Sequence, residues 1–126
     1  MQEVDFNEIR VFENYEIIEE EKGHAIITTT VTKSALNLYG FAHGGFLYTL
    51  CDSMSGLVAR STGVDIVTLN ATMNYIKTAQ DGDYLKVEGT LIHDGRTTKV
   101  VEVTVTNESD TLICKGNFTM YVTSNK

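Results

Sequence analysis

The chain has 126 residues, of which 42% are apolar, and a formal net charge of −7. This length suits a single domain built around one core. Nucleic-acid binding requires a basic surface, so the charge argues against that class of partner, although a small anionic ligand needs only a local basic patch. No apolar run reaches membrane-spanning length. We therefore expect a globular protein that binds neither nucleic acid nor membrane.

A few residue types indicate the compartment and the metal content. Residues 1–6 lack the basic and apolar segments of a secretory signal peptide. Cys51 and Cys114 fall in apolar stretches, which is typical of buried, reduced thiols. We therefore expect a cytoplasmic protein. The three histidines have no metal-ligand spacing, so we expect no metal site and no cofactor.

The predicted elements begin with a β-hairpin. Residues 1–14 are polar with scattered apolar positions and form an arm or one short helix. Residues 15–20 and the β-branched run 24–32 are predicted strands, with Gly23 in the turn between them. The acidic residues 19–21 are expected to lie at the solvated tip of this hairpin.

One long helix follows, beginning at His43-Gly44-Gly45 and ending near Thr62-Gly63, since glycine is favoured just past a helix C-terminus. At about 100° per residue, one broad sector of this helix is apolar: Phe46, Leu47, Leu50, Cys51, Met54, Leu57 and Val58. Asp52 lies outside that sector, on a side shared by Gly45, Tyr48, Thr49, Ser55, Gly56 and Ala59. Because small residues allow another backbone to approach closely, we expect this side to face a second subunit. An exposed face that happens to be small is the alternative.

The start of this helix suits an anionic ligand atom. Gly44 and Gly45 each weaken a helix by about 1 kcal/mol relative to alanine. The first-turn amides of a helix are unpaired and carry a partial positive charge, which suits a carbonyl oxygen that becomes an oxyanion. The stretch therefore combines amide donors with a carboxylate, Asp52, two turns further along.

Four strands are predicted after the helix, over residues 66–76, 84–93, 96–106 and 112–122. In the first, two sets of residues alternate and are expected on opposite faces: Val67, Leu69, Ala71, Met73 and Tyr75 on one, and Ile66, Thr68, Asn70, Thr72, Asn74 and Ile76 on the other. The later strands alternate at Leu85, Val87, Gly89 and Leu91, at Val101, Val103 and Val105, and at Leu112, Cys114, Gly116, Phe118, Met120 and Val122. Asp94-Gly95 marks a hairpin turn. The order predicts an α+β fold, with one long helix packed on a curved antiparallel sheet.

Asn37, Gly40, His43-Gly44-Gly45 and Asp52, at these spacings, resemble the hot-dog fold acyl-CoA thioesterases of the phenylacetate-pathway (PaaI-type) family. The resemblance continues through residues 67–75, Asp81-Gly82-Asp83 and residues 93–96, and it covers about residues 24–122. It implies a hot-dog fold and a homodimer, or dimer of dimers, that hydrolyses an acyl-CoA thioester. The family usually has a proline before the Asp-Gly-Asp turn, where this chain has residues 77–79 without one. This difference concerns the rigidity of the loop rather than the chemistry.

The resemblance also implies roles for individual residues. Asp52 would be the general base or the nucleophile, and Thr68 would position the attacking water. The Gly44 amide and the Asn37 side chain would polarise the thioester carbonyl, which His43 would help to orient. In the family these groups come from two subunits. A threonine with only a cross-strand structural role would look the same as Thr68 in the sequence.

The contacts to CoA are less specific. His93 and Arg96 flank the Asp-Gly turn and, with Lys77 and Lys99, form the predicted basic patch for a CoA phosphate, although a solvated hairpin end explains the same residues. The predicted substrate and CoA contacts are Gly45, Tyr75, Lys77, His93, Gly95, Arg96 and Thr97. The acyl group is left open, because Tyr48, Tyr75, Phe41 and Phe46 suit an aromatic pocket, an aliphatic pocket or the core.

Two other functions are compatible with the same fold. A non-catalytic module would bind or sense acyl-CoA without turnover. A hydratase acting on enoyl-CoA would need a histidine soon after the helix aspartate, and this chain has none there. We expect a thioester hydrolase for which acyl-CoA is a substrate rather than a cofactor.

Overall fold

The structure, a computed structural model, describes residues 8–125. Its elements are β1 (Glu16–Glu21), β2 (His24–Thr30), a short 3-10 helix (Lys33–Ala35), α1 (Gly44–Arg60), β3 (Val64–Tyr75), β4 (Tyr84–Asp94), β5 (Thr98–Thr106) and β6 (Leu112–Asn125). All six strands form one antiparallel sheet in the order β1-β2-β4-β5-β6-β3. The predicted hairpin, helix and later strands are all present, so the predicted α+β fold is confirmed. In the described residues, no helix is long and apolar enough to cross a membrane.

An arm without helix leads into β1. Residues 8–14 contain no helix, and Asn14 joins them to β2 because its side-chain oxygen accepts a hydrogen bond from the Thr30 amide at 2.7 Å. Of the two predicted forms, residues 8–14 therefore adopt the arm. Residues 1–7 lie outside the described part of the chain.

The apolar sector of α1 packs on the sheet. Leu50, Met54 and Val58 are at most 2% exposed, and burying each such side chain contributes roughly 1.5–3 kcal/mol. Gly89 of β4 permits this close packing, because a Cβ there would lie 2.7 Å from Cγ of Met54. The predicted alternating residues of β4, β5 and β6 are buried beneath the helix, among them Leu85, Val87, Val101, Val103, Val105, Cys114, Phe118 and Met120. Their predicted faces are confirmed.

The prediction for β3 is wrong, because this strand contains an irregularity that reverses its faces. The pairing of β3 with β6 shifts between Thr68 and Asn70, and one extra residue moves all later side chains to the opposite face. The predicted apolar face is therefore divided. Val67 and Leu69 are 53% and 62% exposed, whereas Ala71 and Met73 pack against the core.

The small-residue side of α1 also differs from the prediction. Ser55, Gly56 and Ala59 are buried within their own chain, so they do not form a free surface for a second subunit. The cause is β3, which runs beside the helix and places Cδ1 of Ile66 3.9 Å from where a Cβ of Gly56 would lie. Only the N-terminal part of the predicted face remains accessible, at Gly45, Tyr48, Thr49 and Asp52.

Candidate active site

Asp52 and Thr68 form one half of the candidate site. The Thr68 hydroxyl donates a hydrogen bond to Oδ1 of Asp52 at 2.8 Å. This contact depends on the register shift in β3, since Thr68 then points towards α1 rather than away from it. Asp52 is half-buried, so its other carboxylate oxygen has access to a water or a substrate. The arrangement suits a carboxylate that acts as a base or a nucleophile, because the hydrogen bond from Thr68 holds it in one orientation.

A cleft of about 310 Å³ opens beside this pair. Its walls are Asp52, Ser53, Gly56, Arg60, Ile66, Val67, Thr68 and Met120. Sequence reasoning missed Arg60, which brings a positive charge to the cleft. The sequence feature that could have indicated this position of Arg60 is Gly56. A Cβ at residue 56 would lie 2.8 Å from Nη1 of Arg60. Glycine one turn before the arginine therefore lets the guanidinium fold back along the helix.

A more apolar cavity of about 360 Å³ lies on the other flank of α1. It shares Ser53 and Arg60 with the Asp52 cleft and is otherwise lined by Phe12, Tyr15, Ile17, Ile27, Met54 and Leu57. None of these residues was predicted to belong to a site, because the arm, the first hairpin and the helix meet only in the folded chain.

The start of α1 forms the second half of the candidate site. His43 caps the helix, since its Nδ1 accepts a hydrogen bond from the Gly45 amide at 2.9 Å. In a neutral ring the proton then resides on Nε2, which is free to donate. Among residues 8–125, the Gly44 amide has no acceptor. The structure thus assigns Gly45 to the cap and leaves Gly44 as the predicted amide donor.

Tyr75, the last residue of β3, contacts the start of α1. Its hydroxyl donates a hydrogen bond to the Gly44 carbonyl oxygen at 3.1 Å. Burial is the main cause that raises the pKa of the Tyr75 phenol, so the hydroxyl keeps the proton that it donates. Tyr75 therefore lies beside the predicted carbonyl-binding amide.

Asn37 organises the loop that precedes the helix. Its Oδ1 accepts hydrogen bonds from the amides of Tyr39, at 2.9 Å, and Phe41, at 3.1 Å. Because the oxygen is occupied, the side chain presents its Nδ2 hydrogens as donors, as the predicted role requires. Gly40 adopts a φ of +84° in this turn, a conformation that side chains disfavour.

The two halves do not meet within one chain. Gly44 and Asp52 are eight residues apart on the same straight helix, which corresponds to about 12 Å. A thioester carbonyl bound at the Gly44 amide would be out of reach of Asp52 in that chain. The residues are therefore arranged as two separate groups, Asp52 with Thr68, and Asn37 with His43, Gly44 and Tyr75.

The predicted basic patch is not a single patch in this chain. Lys99 is 7% exposed, and its Nζ forms an ion pair with Oδ1 of Asp94 at 2.5 Å. The hydrogen bond from Lys99 lowers the pKa of the Asp94 carboxyl. Lys77 and the Asp-Gly turn lie near different ends of β6. Lys77 follows the end of β3, which pairs with β6 at Cys114. The Asp-Gly turn adjoins Thr98, which pairs with β6 at Tyr121. Seven residues of β6 separate these positions, or about 23 Å.

The residues of the Asp-Gly turn itself remain accessible. His93, Arg96 and Thr97 are exposed, while the Gly95 amide is used in a hydrogen bond to the Thr98 carbonyl at 3.0 Å. The structure therefore keeps His93, Arg96 and Thr97 available to a ligand and removes Lys99 from that group.

The two cysteines have no part in this site. Both are buried free thiols, as predicted. A hydrogen bond with Cys114, together with burial, raises the pKa of the Cys51 thiol far above its usual range. A thiol that stays protonated is a poor nucleophile, so Cys51 is not a candidate for the reactive group.

Comparison with known proteins gives the family. Residues 39–114 match the family model described as "Thioesterase superfamily". The acyl-coenzyme A thioesterase PaaI of Escherichia coli K12 is 30% identical over 93 residues, covering 74% of this chain and 66% of that protein. The match therefore spans just under two thirds of this relative's length.

Two solved streptococcal structures resemble almost the whole chain. A hypothetical thioesterase from Streptococcus pneumoniae TIGR4, solved with coenzyme A, is 48% identical with a TM-score of 0.95, over 98% of this chain and 99% of that one. The smu.793 protein of Streptococcus mutans UA159, bound to acetyl CoA, is 55% identical with a TM-score of 0.89, over 96% and 98% of the two chains. The Streptococcus pneumoniae protein has also been solved with its Asp52 and with its Thr68 replaced by alanine.

The family model covers more than half of the chain, and the sheet and helix superpose closely on thioesterase structures. The predicted resemblance, fold and enzyme class are confirmed: the chain is a PaaI-like, hot-dog fold member of the thioesterase superfamily.

Proposed function

We propose that this protein hydrolyses acyl-CoA thioesters to a free acid and CoA, at a site shared by two copies of the chain. The observation that carries the proposal is the distance of about 12 Å along α1 between the Gly44 amide and Asp52. The coenzyme A in the Streptococcus pneumoniae structure and the acetyl CoA in the Streptococcus mutans structure support the substrate class.

Asp52 starts the reaction at the thioester carbonyl carbon. As a general base it takes a proton from a water molecule, whose oxygen attacks that carbon. As a nucleophile its own oxygen attacks, and water then hydrolyses the resulting anhydride. In both routes the Thr68 hydroxyl holds the carboxylate by the hydrogen bond of 2.8 Å, the carbon–sulfur bond breaks, and CoA leaves as its thiol.

The second copy of the chain stabilises the negative charge that develops on the carbonyl oxygen. Its Gly44 amide and its Asn37 Nδ2 are donors for which residues 8–125 provide no acceptor. Removing one such donor typically lowers kcat by about 10²- to 10³-fold. His43 contributes by capping the helix through its Nδ1, which in a neutral ring leaves Nε2 as the donor nitrogen.

The edge of the sheet supports a paired arrangement. Among the described residues, β3 pairs only with β6 and leaves its other edge open, which is a template for another strand. Three apolar side chains of this region, Val67, Leu69 and Ile76, are 53%, 62% and 49% exposed. A second copy that pairs along β3 would cover them, and the same contact is continuous with the Asp52 cleft through Val67.

CoA itself is proposed to lie against the exposed residues His93, Arg96 and Thr97 of the turn between β4 and β5. Gly45, Tyr75, Lys77 and Gly95 stay as predicted contacts of the substrate. The predicted cytoplasmic location, the absence of a cofactor and the dimer-of-dimers assembly also stay predictions.

A mixing experiment tests both parts of the proposal. We would measure thiol release from aryl-, short- and medium-chain acyl-CoAs with the wild type and with the variants Asp52→Ala and Asn37→Ala. Each variant alone is expected to lose about 10²-fold or more in kcat. The two inactive variants are then unfolded together, refolded and assayed as a mixture.

If the site is shared, a mixed dimer contains one intact site and one doubly altered site. With random pairing, about half of the dimers are mixed, and each mixed dimer has one of its two sites intact. The mixture should therefore recover roughly a quarter of the wild-type rate. A mixture that stays inactive while wild type is active would place both residues in one chain's site. A wild type that binds acyl-CoAs but releases no thiol from any of them would instead identify a binding module.

A further inference from the structure

The turn that contains Asn37 has a large, apolar tip. The Gly40 amide donates a hydrogen bond to the Asn37 carbonyl oxygen at 3.1 Å, so residues 37–40 form a β-turn with Leu38 and Tyr39 at its two central positions. Small and polar residues usually dominate such turns. Leu38 is 87% exposed and Tyr39 is 81% exposed, more than any other large apolar side chain of residues 8–125.

Hydrogen bonds hold the backbone of this turn in place. The Asn37 Oδ1 accepts from the amides of Tyr39 and Phe41, and the Asn37 amide donates to the Phe41 carbonyl oxygen at 2.7 Å. Phe41 in turn forms a β-bridge with Gln80. The exposure of Leu38 and Tyr39 is therefore part of an ordered turn. Adjacent exposed apolar side chains on an ordered element are typical of a binding surface.

The tip adjoins one half of the candidate site. The Asn37 Nδ2 is a proposed donor to the thioester carbonyl oxygen, and consecutive Cα atoms are about 3.8 Å apart, so the Cα atoms of Leu38 and Tyr39 lie within about 4 Å and about 8 Å of that of Asn37. Two groups flank the carbonyl carbon at this range, the acyl group and the start of the pantetheine arm. The nucleotide of CoA is at the far end of that arm. The tip is therefore placed to contact the substrate close to its reacting carbon.

The other half of the site is apolar on one side only. The wall of the Asp52 cleft that comes from β3 and β6 contains its apolar residues, Ile66, Val67 and Met120. The wall that comes from α1 is small or polar, with Asp52, Ser53, Gly56 and Arg60. An acyl group bound there would contact the sheet and leave its other side in water. In the shared site, Asn37 of the second copy binds the same carbonyl, which brings that copy's tip to this open side.

We infer that Leu38 and Tyr39 of one copy complete the acyl-binding pocket at the Asp52 cleft of the other copy. The inference rests on the proposed function and adds the substrate class, which is thioesters with a medium-chain or aromatic acyl group. Such groups extend far enough from the carbonyl to contact the tip, and the gain grows with the apolar area that is buried. An acetyl group has one carbon beyond the carbonyl and gains little. The pantetheine arm, with two amides and a hydroxyl, is a poorer match for two apolar side chains.

The test compares kcat/KM for acetyl-, hexanoyl- and benzoyl-CoA in the wild type, Leu38→Ala and Tyr39→Ala. Each variant should lose about 10-fold or more with hexanoyl- and benzoyl-CoA and less than about 2-fold with acetyl-CoA, because a single methylene in an apolar pocket already changes kcat/KM by about 10-fold or more. The matched control is Ile18→Ala, since Ile18 is 56% exposed on β1. It should keep the wild-type ratios. An equal loss with all three substrates, as expected of a contact with the pantetheine arm, or unchanged ratios in both variants would overturn the inference.

Mixed dimers test whether the tip acts on the other copy's site. When Asn37→Ala and Asp52→Ala chains pair, the one intact site combines Asp52 of the first chain with the turn of the second. Adding Tyr39→Ala to the Asp52→Ala chain should lower the ratio of hexanoyl- to acetyl-CoA hydrolysis by about 10-fold, whereas adding it to the Asn37→Ala chain should leave the ratio unchanged.

Equal ratios in the two mixtures would overturn the inference alone, because thioester hydrolysis at a shared site would still be observed. A wild type or a mixture without activity would overturn the proposed function and the inference together.

Discussion

At the scale of single residues, the candidate site is defined by how each polar atom is occupied. The Asn37 oxygen and the Gly45 amide are both used inside the chain. This leaves the Asn37 Nδ2 and the Gly44 amide as donors on one side. Asp52 is held by Thr68 on the other. Which hydrogen bonds are already made therefore determines which groups are left for a substrate.

Thr68→Val tests the support of the carboxylate, since valine keeps the shape of the side chain and removes its hydroxyl. A hydrogen bond to a charged group contributes about 1.5–3 kcal/mol, so kcat for thioester hydrolysis should fall by about 10- to 100-fold. The measurement is steady-state thiol release. Thr72→Val, further along the exposed part of β3, should keep the wild-type rate. Equal rates for all three proteins would remove Thr68 from the mechanism.

At the scale of elements, the helix and the sheet are fitted to each other at particular positions. Gly89 gives room for Met54 and Val58, and the irregularity in β3 turns Thr68 to the helix. The hairpin of β4 and β5 is closed by the pair of Asp94 with Lys99. The first two of these contacts depend on residues that are distant in the sequence or that break its simple alternation, whereas Asp94 and Lys99 are only five residues apart in one hairpin.

Gly89→Ala tests the fit of helix on sheet. The added Cβ would lie 2.7 Å from Cγ of Met54 and 3.0 Å from Cγ2 of Val58, and overpacking of this kind costs about 1–3 kcal/mol. Urea unfolding should show a lower midpoint with an unchanged slope. Thr90→Ala, the next residue on the exposed face of β4, should change the free energy of unfolding by less than about 0.5 kcal/mol. A Gly89→Ala variant as stable as this control would contradict the described packing.

The ion pair of Asp94 with Lys99 predicts a dependence of stability on pH. The lowered pKa of Asp94 means that the pair stabilises the fold above the carboxyl's unfolded pKa of about 3.9. This stabilisation is lost as the pH falls through the lower, folded pKa. Asp94→Asn should therefore lower Tm at neutral pH, where Lys99 is left buried without its partner, and the difference from wild type should shrink in acid.

Thermal melts across the acidic range would measure this difference. Glu16→Gln, which changes an exposed carboxylate of β1, serves as the control and should follow the wild type at every pH. A difference between Asp94→Asn and wild type that stays constant down to strongly acidic pH would show that the ion pair is not its cause.

At the scale of the whole molecule, the chain contains both halves of the proposed thioesterase site but keeps them apart. The distance of about 12 Å along α1 makes a second copy necessary if both halves are to reach one carbonyl. The open, apolar edge at β3 offers the place where that copy would bind.

Leu69→Lys tests this assembly, because it places a charge on the exposed edge strand, where charges oppose pairing with another strand. The variant is expected to sediment as a monomer and to lose at least about 10-fold in thioesterase rate. Ile92→Lys is a matched control, since Ile92 is 55% exposed on β4, away from β3. A monomeric Leu69→Lys variant with the full rate would contradict the shared site.

The sequence by itself determined the order of the elements and the core faces of β4, β5 and β6. Alternation and helical periodicity are local patterns, and the buried residues Val101, Val103 and Val105 follow them directly. It also placed Asp52 outside the apolar sector of the helix. The motif of Asn37, His43, Gly44 and Asp52 was sufficient to suggest the family.

Only the tertiary structure decided which neighbours these residues have. The shift after Thr68 reversed the faces of β3, and β3 in turn runs beside Gly56 on the side of the helix that was expected to meet a partner. Folding also divided the expected basic patch and gave Lys99 to Asp94. A sequence pattern reports which side of its own element a residue lies on. What stands opposite that side depends on strand pairing and on the path of distant segments, which local periodicity does not encode.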